Sequence, residues 1–208
     1  MIAIIDYKAG NLASVSNAMD RLMAEYRITS NIPDLDEADA VIFPGVGHAA
    51  PAMNELRQHG LDTWLKSTRK PVLGICLGMQ LLYESTTEGP TETLGILPGS
   101  LEKFDASQHK VPHMGWNTVS FQSEHKNHPL MRHIEQETHF YFVHSYFAPV
   151  TGHTVATSSY ASGPFAAIAA RDNFMGVQFH PEKSGPAGEQ LLRNFADMVH
   201  GGMRTISA

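Results

Sequence analysis

Cysteine is the scarcest feature of this sequence: one residue, Cys76, in a chain of 208. A single thiol permits no intramolecular disulfide, and it suits a reducing compartment in which it stays free. Long apolar runs are missing too, since none approaches the ~20 residues needed to span a bilayer. The opening Met1-Ile2-Ala3-Ile4-Ile5-Asp6 has no basic leader, and Asp6 breaks its apolar run before a signal-peptide core forms. These absences predict a cytoplasmic protein with no membrane association. Basic charge is also short: 15 Lys and Arg against 21 Asp and Glu give a formal charge of −6. That balance argues against a nucleic-acid-binding surface. No repeat, low-complexity tract or linker divides the chain. A hydrophobic content of 42% with 17% charged residues is ordinary for a globular protein, and the length suits one core. We therefore expect a single domain over residues 1–208.

The cysteine lies in Gly74-Ile75-Cys76-Leu77-Gly78-Met79-Gln80. An apolar run, Pro71-Val72-Leu73, precedes it and a helical pattern follows, so the stretch reads as strand, sharp turn and helix. Glycines two residues before and two after the cysteine match a nucleophile elbow, because a turn that thrusts one side chain into solvent leaves no room for a Cβ on either side. A helix starting at Leu77 directs its free N–H groups toward the sulfur, which favours thiolate and can hold an oxyanion. Alone, Cys76 would read as a small buried hydrophobe. A second stretch, Gly176-Val177-Gln178-Phe179-His180-Pro181-Glu182, changes that reading. It resembles a buried strand ending in a histidine with a carboxylate two residues on. A cysteine nucleophile needs a base, and the base needs a group to orient it, so Cys76, His180 and Glu182 form a complete candidate triad.

The remaining pattern is α/β. Ile2 to Ile5 is a short continuous apolar run suited to a strand buried on both faces. Leu12, Val15, Met19, Leu22, Met23 and Tyr26 recur at helical spacing. A weak strand near Arg27 to Thr29, an acidic connection around Asp34 to Asp39 and a buried strand at Ala40-Val41-Ile42-Phe43 follow. The third strand ends in Pro44-Gly45-Val46-Gly47, alone a turn, but placed at the carboxyl end of a strand, where ligands collect in open parallel sheets. Pro51 to Ser67 reads as one or two helices, and Glu84 to Gly99 as a loop-rich connection. Strand-like pieces at Leu101–Phe104, Thr118–Phe121, Phe140–Ala148, Thr154–Ser158 and Phe165–Ala170 then arrive without helices between them. We expect antiparallel pairing there, extending the parallel sheet. A last helix covers Gly188 to Val199.

The two stretches around Cys76 and His180 resemble the class I (triad) glutamine amidotransferases, which hydrolyse glutamine and release ammonia. Further motifs narrow the resemblance: Asp6-Tyr7-x-x-Gly10-Asn11, Pro44-Gly45-Val46-Gly47, Pro112-His113-Met114-Gly115-Trp116-Asn117 and Tyr141-Phe142-Val143-His144-Ser145-Tyr146. Together they are similar to the glutaminase subunits of imidazole glycerol phosphate synthases, over nearly the whole chain. The anthranilate- and guanylate-forming relatives share only the triad, and Lys8 departs from the small residue expected in its loop.

The resemblance implies an open, mostly parallel, flavodoxin-like sheet with helices on both faces. It implies Cys76 as nucleophile, His180 as base and Glu182 as its orienting partner. It further implies an oxyanion hole from Val46 or Gly47 with Leu77, each donor typically worth ~10²–10³ in rate. Glutamine contacts are expected from Gly45, Gly47, Gln80, Ser145 and Tyr146. Asn11, Trp116, Tyr141 and Lys183 are expected near the face shown to a (β/α)8-barrel synthase (cyclase) subunit that receives the ammonia in a heterodimer, although Trp116 reads equally as core. The oxyanion loop is expected to be misaligned until that partner binds its own substrate. No cofactor is implied.

Two other readings compete. A cysteine peptidase or other acyl-transfer hydrolase uses the same elbow chemistry, but Gln80 and the Tyr141 to Tyr146 strand favour free glutamine. A non-catalytic regulatory subunit is disfavoured by the intact triad. The 12 histidines invite a metal site, with His109 and His113 four apart and His125 and His128 three apart. Their loop and strand settings, and the lack of a His-Glu-x-x-His pattern, argue against it. They read as solvated loop residues.

Overall fold

The structure is a computed structural model that describes residues 1–107, 109–161 and 163–200. Strand β1 (Ile2–Ile5) is buried at every position, helix α1 (Leu12–Arg21) follows, and β2 (Tyr26–Thr29) lies parallel to β1. The helix stops short of its apolar spacing. Met23, expected on its buried face, turns into the left-handed region at φ 53 and is 91% exposed, and Tyr26 already belongs to β2. The chain must reverse within a few residues to reach β2, and a left-handed residue after the helix makes that turn.

The acidic connection is itself a short helix, α2 (Ile32–Glu37), with Pro33 in its first turn. After β3 (Ala40–Gly45), helices α3 (Ala49–Gln58) and α4 (Leu61–Ser67) are separated by Gly60 at φ 68. Strand β4 (Val72–Cys76) runs directly into α5 (Leu77–Leu81). The short pair β5 (Ser85–Thr86) and β6 (Thr91–Glu92) leads to β7 (Ser100–Lys103), β8 (His113–Phe121), β9 (Thr138–His144) and β10 (Tyr146–Phe147). Strands β11 (Thr154–Tyr160), β12 (Gly163–Arg171) and β13 (Phe174–Val177) precede the closing helix α6 (Gly185–His200).

Nine strands form one sheet in the order β2-β1-β3-β4-β13-β12-β11-β8-β9. From β2 to β13 every pairing is parallel, and beyond β13 every pairing is antiparallel. The expected antiparallel extension therefore holds for β8, β9, β11 and β12. It fails for Leu101–Phe104 and for the end of Phe140–Ala148, where β7 and β10 join β5 and β6 in a separate four-stranded sheet. The chain leaves the main sheet at Ser145, whose carbonyl accepts instead from the Phe104 amide at 3.0 Å.

Strand alternation sorts the core to the two faces. Ile2, Ile4, Ile42, Leu73 and Ile75 pack with Val15 and Met19 of α1 and with Leu191, Leu192 and Phe195 of α6. Ala3, Ile5, Val41, Phe43 and Val72 pack with Met53 and Leu56 of α3, Leu65 of α4 and Met79 of α5. The parallel part is thus covered by helices on both sides, which explains strands that read as unbroken apolar runs. Among the described residues no helix is long and apolar enough to cross a membrane.

Candidate active site

Parallel strands deliver their carboxyl ends to the same edge of the sheet. Because β4 and β13 are neighbours in register, the residues that follow Ile75 and Val177 emerge side by side. Cys76 takes φ 53 and ψ −108, and α5 begins at the next residue. A non-glycine residue in that region is strained, as expected of an elbow. The flanking glycines serve contact between backbones: a Cβ on Gly78 would lie 1.8 Å from the Phe43 carbonyl oxygen, and one on Gly74 would lie 2.8 Å from the Gly78 carbonyl carbon. Only bare backbone lets α5 lie this close to β3 and β4.

His180 follows β13, and the 3₁₀ turn Pro181–Lys183 folds Glu182 back beneath it. The Nδ1 of His180 lies 2.8 Å from Glu182 Oε1, with both side chains buried. The backbone is pinned as well. The His180 amide donates to the Tyr141 carbonyl at 2.9 Å, and Ser184 Oγ donates to the His180 carbonyl at 2.6 Å while accepting from the Tyr141 amide at 3.0 Å. Burial alone would lower the proton affinity of His180; the Cys76 sulfur and the Glu182 carboxylate beside it outweigh burial and hold the imidazolium above its usual range. His180 Nε2, Glu182 Oε2 and the Tyr7 hydroxyl are buried with no hydrogen-bond partner. Buried polar atoms normally have partners, so these three stand out beside the sulfur. Burial, and then the charge of Cys76, push the Tyr7 phenol up.

The sulfur itself is fixed from two sides. Cys76 Sγ donates to the Val143 carbonyl and accepts from Gln178 Nε2, each at 3.8 Å. Strand β3 flanks β4 on the other side, with Gly45 opposite Cys76 in register. Val46 and Gly47 are exposed beyond it, Gly47 at φ 99, and Leu77 opens α5 directly after the sulfur. The Val46 amide donates to the Ala9 carbonyl at 2.5 Å. Val46 therefore offers no free oxyanion donor in this conformation, because the loop after β1 has engaged its N–H.

Gln80 reaches the same edge, but its Nε2 is occupied: it donates to the Tyr146 carbonyl at 2.9 Å and to Gln178 Oε1 at 3.0 Å. The Tyr146 carbonyl also faces His144 Nδ1 at 2.8 Å. Both Gln80 Nε2 hydrogens and both lone pairs of the Tyr146 carbonyl are therefore engaged within the chain, while the Ser145 carbonyl accepts one bond, from the Phe104 amide at 3.0 Å. Of the expected interface residues, Trp116 is 57% exposed and meets Tyr141 edge to face at 6.1 Å. It is not core. Lys183 is exposed. Asn11 Oδ1 accepts from the Ser14 amide and caps α1. Lys8 takes φ 63 and reaches Glu55 at 3.3 Å, a left-handed position where a small residue is the natural expectation.

Two groups escape sequence reasoning. Gln178, in the bend just after β13, touches the Cys76 sulfur, and its signal was a buried polar residue in an apolar stretch, two positions before His180. The solvated reading of the histidines fails at His113 and His144, which are buried and paired across β8 and β9. Their partnership comes from strand pairing that no local pattern reveals. Among the described residues, no three His, Cys, Asp or Glu side chains converge as a metal-ligating group.

An elbow cysteine beside a carboxylate-backed histidine, at the carboxyl edge of a doubly covered parallel sheet, is equipped for acyl transfer through a thioester. Residues 3–199 match the family described as glutamine amidotransferase class-I, and the chain belongs to that family. Curated relatives narrow the group. The imidazole glycerol phosphate synthase subunit HisH of Bacteroides fragilis (strain YCH46) is 46% identical over 199 residues, covering 95% of this chain and 99% of the relative. The same subunit from Pasteurella multocida (strain Pm70) is 46% identical over 198 residues, covering 95% and 98%. With that identity over nearly its full length, the chain groups with the HisH-type glutaminase subunits. A solved glutamine amidotransferase shares the fold, with a TM-score of 0.72 at 16% identity over 96% of this chain and all of that one.

Proposed function

We propose that this chain hydrolyses L-glutamine to glutamate and ammonia at Cys76, and passes the ammonia to a (β/α)8-barrel synthase subunit that forms imidazole glycerol phosphate in histidine biosynthesis. The observation that carries the reading is the buried His180–Glu182 pair at 2.8 Å, set beside an elbow cysteine on the neighbouring strand. The kinship with HisH subunits supports the choice of substrate and of partner class. A free thiol at the reacting position suits a cytoplasmic setting.

The steps follow from the groups present. His180 takes the proton of Cys76, held by Glu182 in the tautomer that leaves Nε2 facing the sulfur. The thiolate attacks the side-chain amide carbon of glutamine, and the Leu77 amide at the start of α5 holds the oxyanion. The carbon–nitrogen bond breaks as His180 gives its proton to the departing nitrogen, which leaves as ammonia. Water then attacks the thioester with His180 as base, releasing glutamate and restoring the thiol. A second oxyanion donor is required from Val46 or Gly47, and the engagement of the Val46 amide by Ala9 supports a hole that is incomplete until a partner rearranges the loop. Trp116, Met114 and Tyr141 supply the surface for that partner, bordered by Asn11 and Lys183.

Glutamate release is to be measured for the chain alone and with a barrel-type synthase subunit bound to its ribotide, with Cys76→Ala as control. Strong activation by the liganded partner, abolished in Cys76→Ala, is expected. No glutamate under either condition overturns the proposal.

A further inference from the structure

His113 and His144 meet ring to ring in the interior, 4% and 6% exposed. His113 Nδ1 lies 3.0 Å from His144 Nε2. Phe104, Phe142, Tyr160 and Phe165 enclose the pair, with His113 stacked on Tyr160 at 4.1 Å and His144 lying 5.2 Å from both Phe104 and Phe165. Burial lowers the proton affinity of both rings, to about 4 for His113 and about 3 for His144. Both are neutral at physiological pH, so each carries one ring proton.

Neighbouring atoms decide which nitrogen holds that proton. A carbonyl oxygen only accepts, so His144 Nδ1, 2.8 Å from the Tyr146 carbonyl, is the protonated nitrogen. Its Nε2 is then an acceptor, which makes His113 Nδ1 the donor across the pair. That leaves His113 Nε2 as an acceptor, and it meets Asn117 Nδ2 at 3.3 Å. The orientation of the Asn117 amide is fixed independently, because Nδ2 also donates to the Ser159 carbonyl at 3.0 Å and Oδ1 accepts from the Thr118 amide at 2.8 Å. Every donor has one direction, from Asn117 through His113 and His144 to the Tyr146 carbonyl.

The second donor to that carbonyl is Gln80 Nε2. Its other hydrogen goes to Gln178 Oε1, which forces Gln178 to present Nε2, not its oxygen, to Cys76 Sγ. A reversed Gln178 amide would set an oxygen against the sulfur and oppose thiolate. The geometry points to His113 and His144 as positioning residues that, through the Tyr146 carbonyl and Gln80, aim the Gln178 amide donor at the sulfur. This rests on the reading of Cys76 as the nucleophile, but the measurements below do not depend on glutamine turnover. The other ionisable groups bearing on the sulfur are Tyr7, after β1, and His180 with Glu182 behind it. They lie outside this chain of hydrogen bonds, and of them His180 also bears on His144 through its charge, so Gln178→Leu and Gln80→Met are the variants that cut the chain without removing that ring.

The first measurement uses the native protein. Nitrogen-15 chemical shifts should report both His113 and His144 as the Nδ1–H tautomer, the minor form of free histidine in water. An Nε2–H tautomer at either ring overturns the proposal. The second reads the sulfur directly as the pH midpoint of Cys76 alkylation by iodoacetamide. One lost hydrogen bond to a charged group shifts that midpoint by about one unit, and the shift is expected upward for His144→Phe and for Gln178→Leu. The double variant should shift no further than either single one. His144→Asn, whose amide replaces the Nδ1 donor to Tyr146, should restore most of the native midpoint. Should His144→Phe fail to fold, Gln80→Met cuts the same path and carries the same expectation. A folded variant with an unshifted midpoint, or additive shifts in the double variant, refutes the assignment. A fully native alkylation profile with no glutamine hydrolysis would instead weigh against the glutaminase reading alone.

Discussion

At the scale of single residues, the candidate site depends on one carboxylate that touches no reacting atom. Glu182 Oε1 accepts from His180 Nδ1, which leaves Nε2 for the sulfur and stabilises the charged ring. In Glu182→Gln the amide can donate to Nδ1, which favours the opposite tautomer and withdraws the compensating charge. We expect kcat for glutamine hydrolysis to fall by ~10²–10⁴ with KM little changed. A steady-state assay with the activating partner checks this, and an unchanged kcat would remove Glu182 from the mechanism. The candidate triad could be picked out because its residues sit in short local spacings: glycines two either side of Cys76, and a carboxylate two past His180. Gln178 and the histidine pair could not. His113 and His144 are brought opposite each other only by the register of β8 and β9, and nothing near either residue encodes the other.

Elements follow the same division. Strands β1, β3 and β4 were readable because burial on both faces demands unbroken apolar runs, and α3, α4 and α6 because one apolar stripe recurs at helical spacing. The small sheet was hidden, since β7 and β10 lie some 40 residues apart in the chain, and strands of two to four residues carry too few positions for an alternation to show. The end of α1 was hidden for another reason: Met23 keeps the helical rhythm by chance while the turn to β2 exposes it. Helix α5 packs on β3 backbone to backbone. A Cβ at position 78 would meet the Phe43 carbonyl oxygen at 1.8 Å and its carbon at 2.9 Å, contacts made by backbone that cannot rotate away. Gly78→Ala should therefore displace the start of α5. We expect a loss of roughly 2–4 kcal/mol in urea unfolding, in the range of overpacking and strain, together with displacement of the proposed Leu77 oxyanion donor. Native stability in that variant would contradict the packing described for the elbow.

The molecule as a whole stores buried neutral histidines, and these lower its stability in acid. His113 and His144 have folded values of about 4 and about 3 against 6.5 for the free side chain, so the unfolded chain binds more protons below neutrality. Their contribution is present above pH 6.5 and is lost as pH falls toward the folded values. Between pH 7 and pH 5 each costs about 2 kcal/mol. His180 acts in the opposite sense, since its folded value is raised: its contribution is full below 6.5 and declines as pH rises. We expect the urea midpoint to drop clearly from pH 7 to pH 5, and to drop less in His144→Phe. The outer surface answers a different question. On β8, Met114 and Trp116 are 59% and 57% exposed, while His113 and Asn117 turn inward to their hydrogen bonds. Large apolar side chains left in solvent beside Tyr141 suit an aromatic anchor at a protein interface better than a core role. Removing the indole costs the fold little because more than half of it faces solvent, but it removes contact area from a docked partner. Trp116→Ala should leave thermal unfolding within about 0.5 kcal/mol of native and weaken binding of the proposed barrel subunit roughly 10–100-fold, the 1.4–2.7 kcal/mol of an anchor side chain. Titration calorimetry with the synthase subunit decides it, because unchanged affinity would move the partner to another face of the sheet.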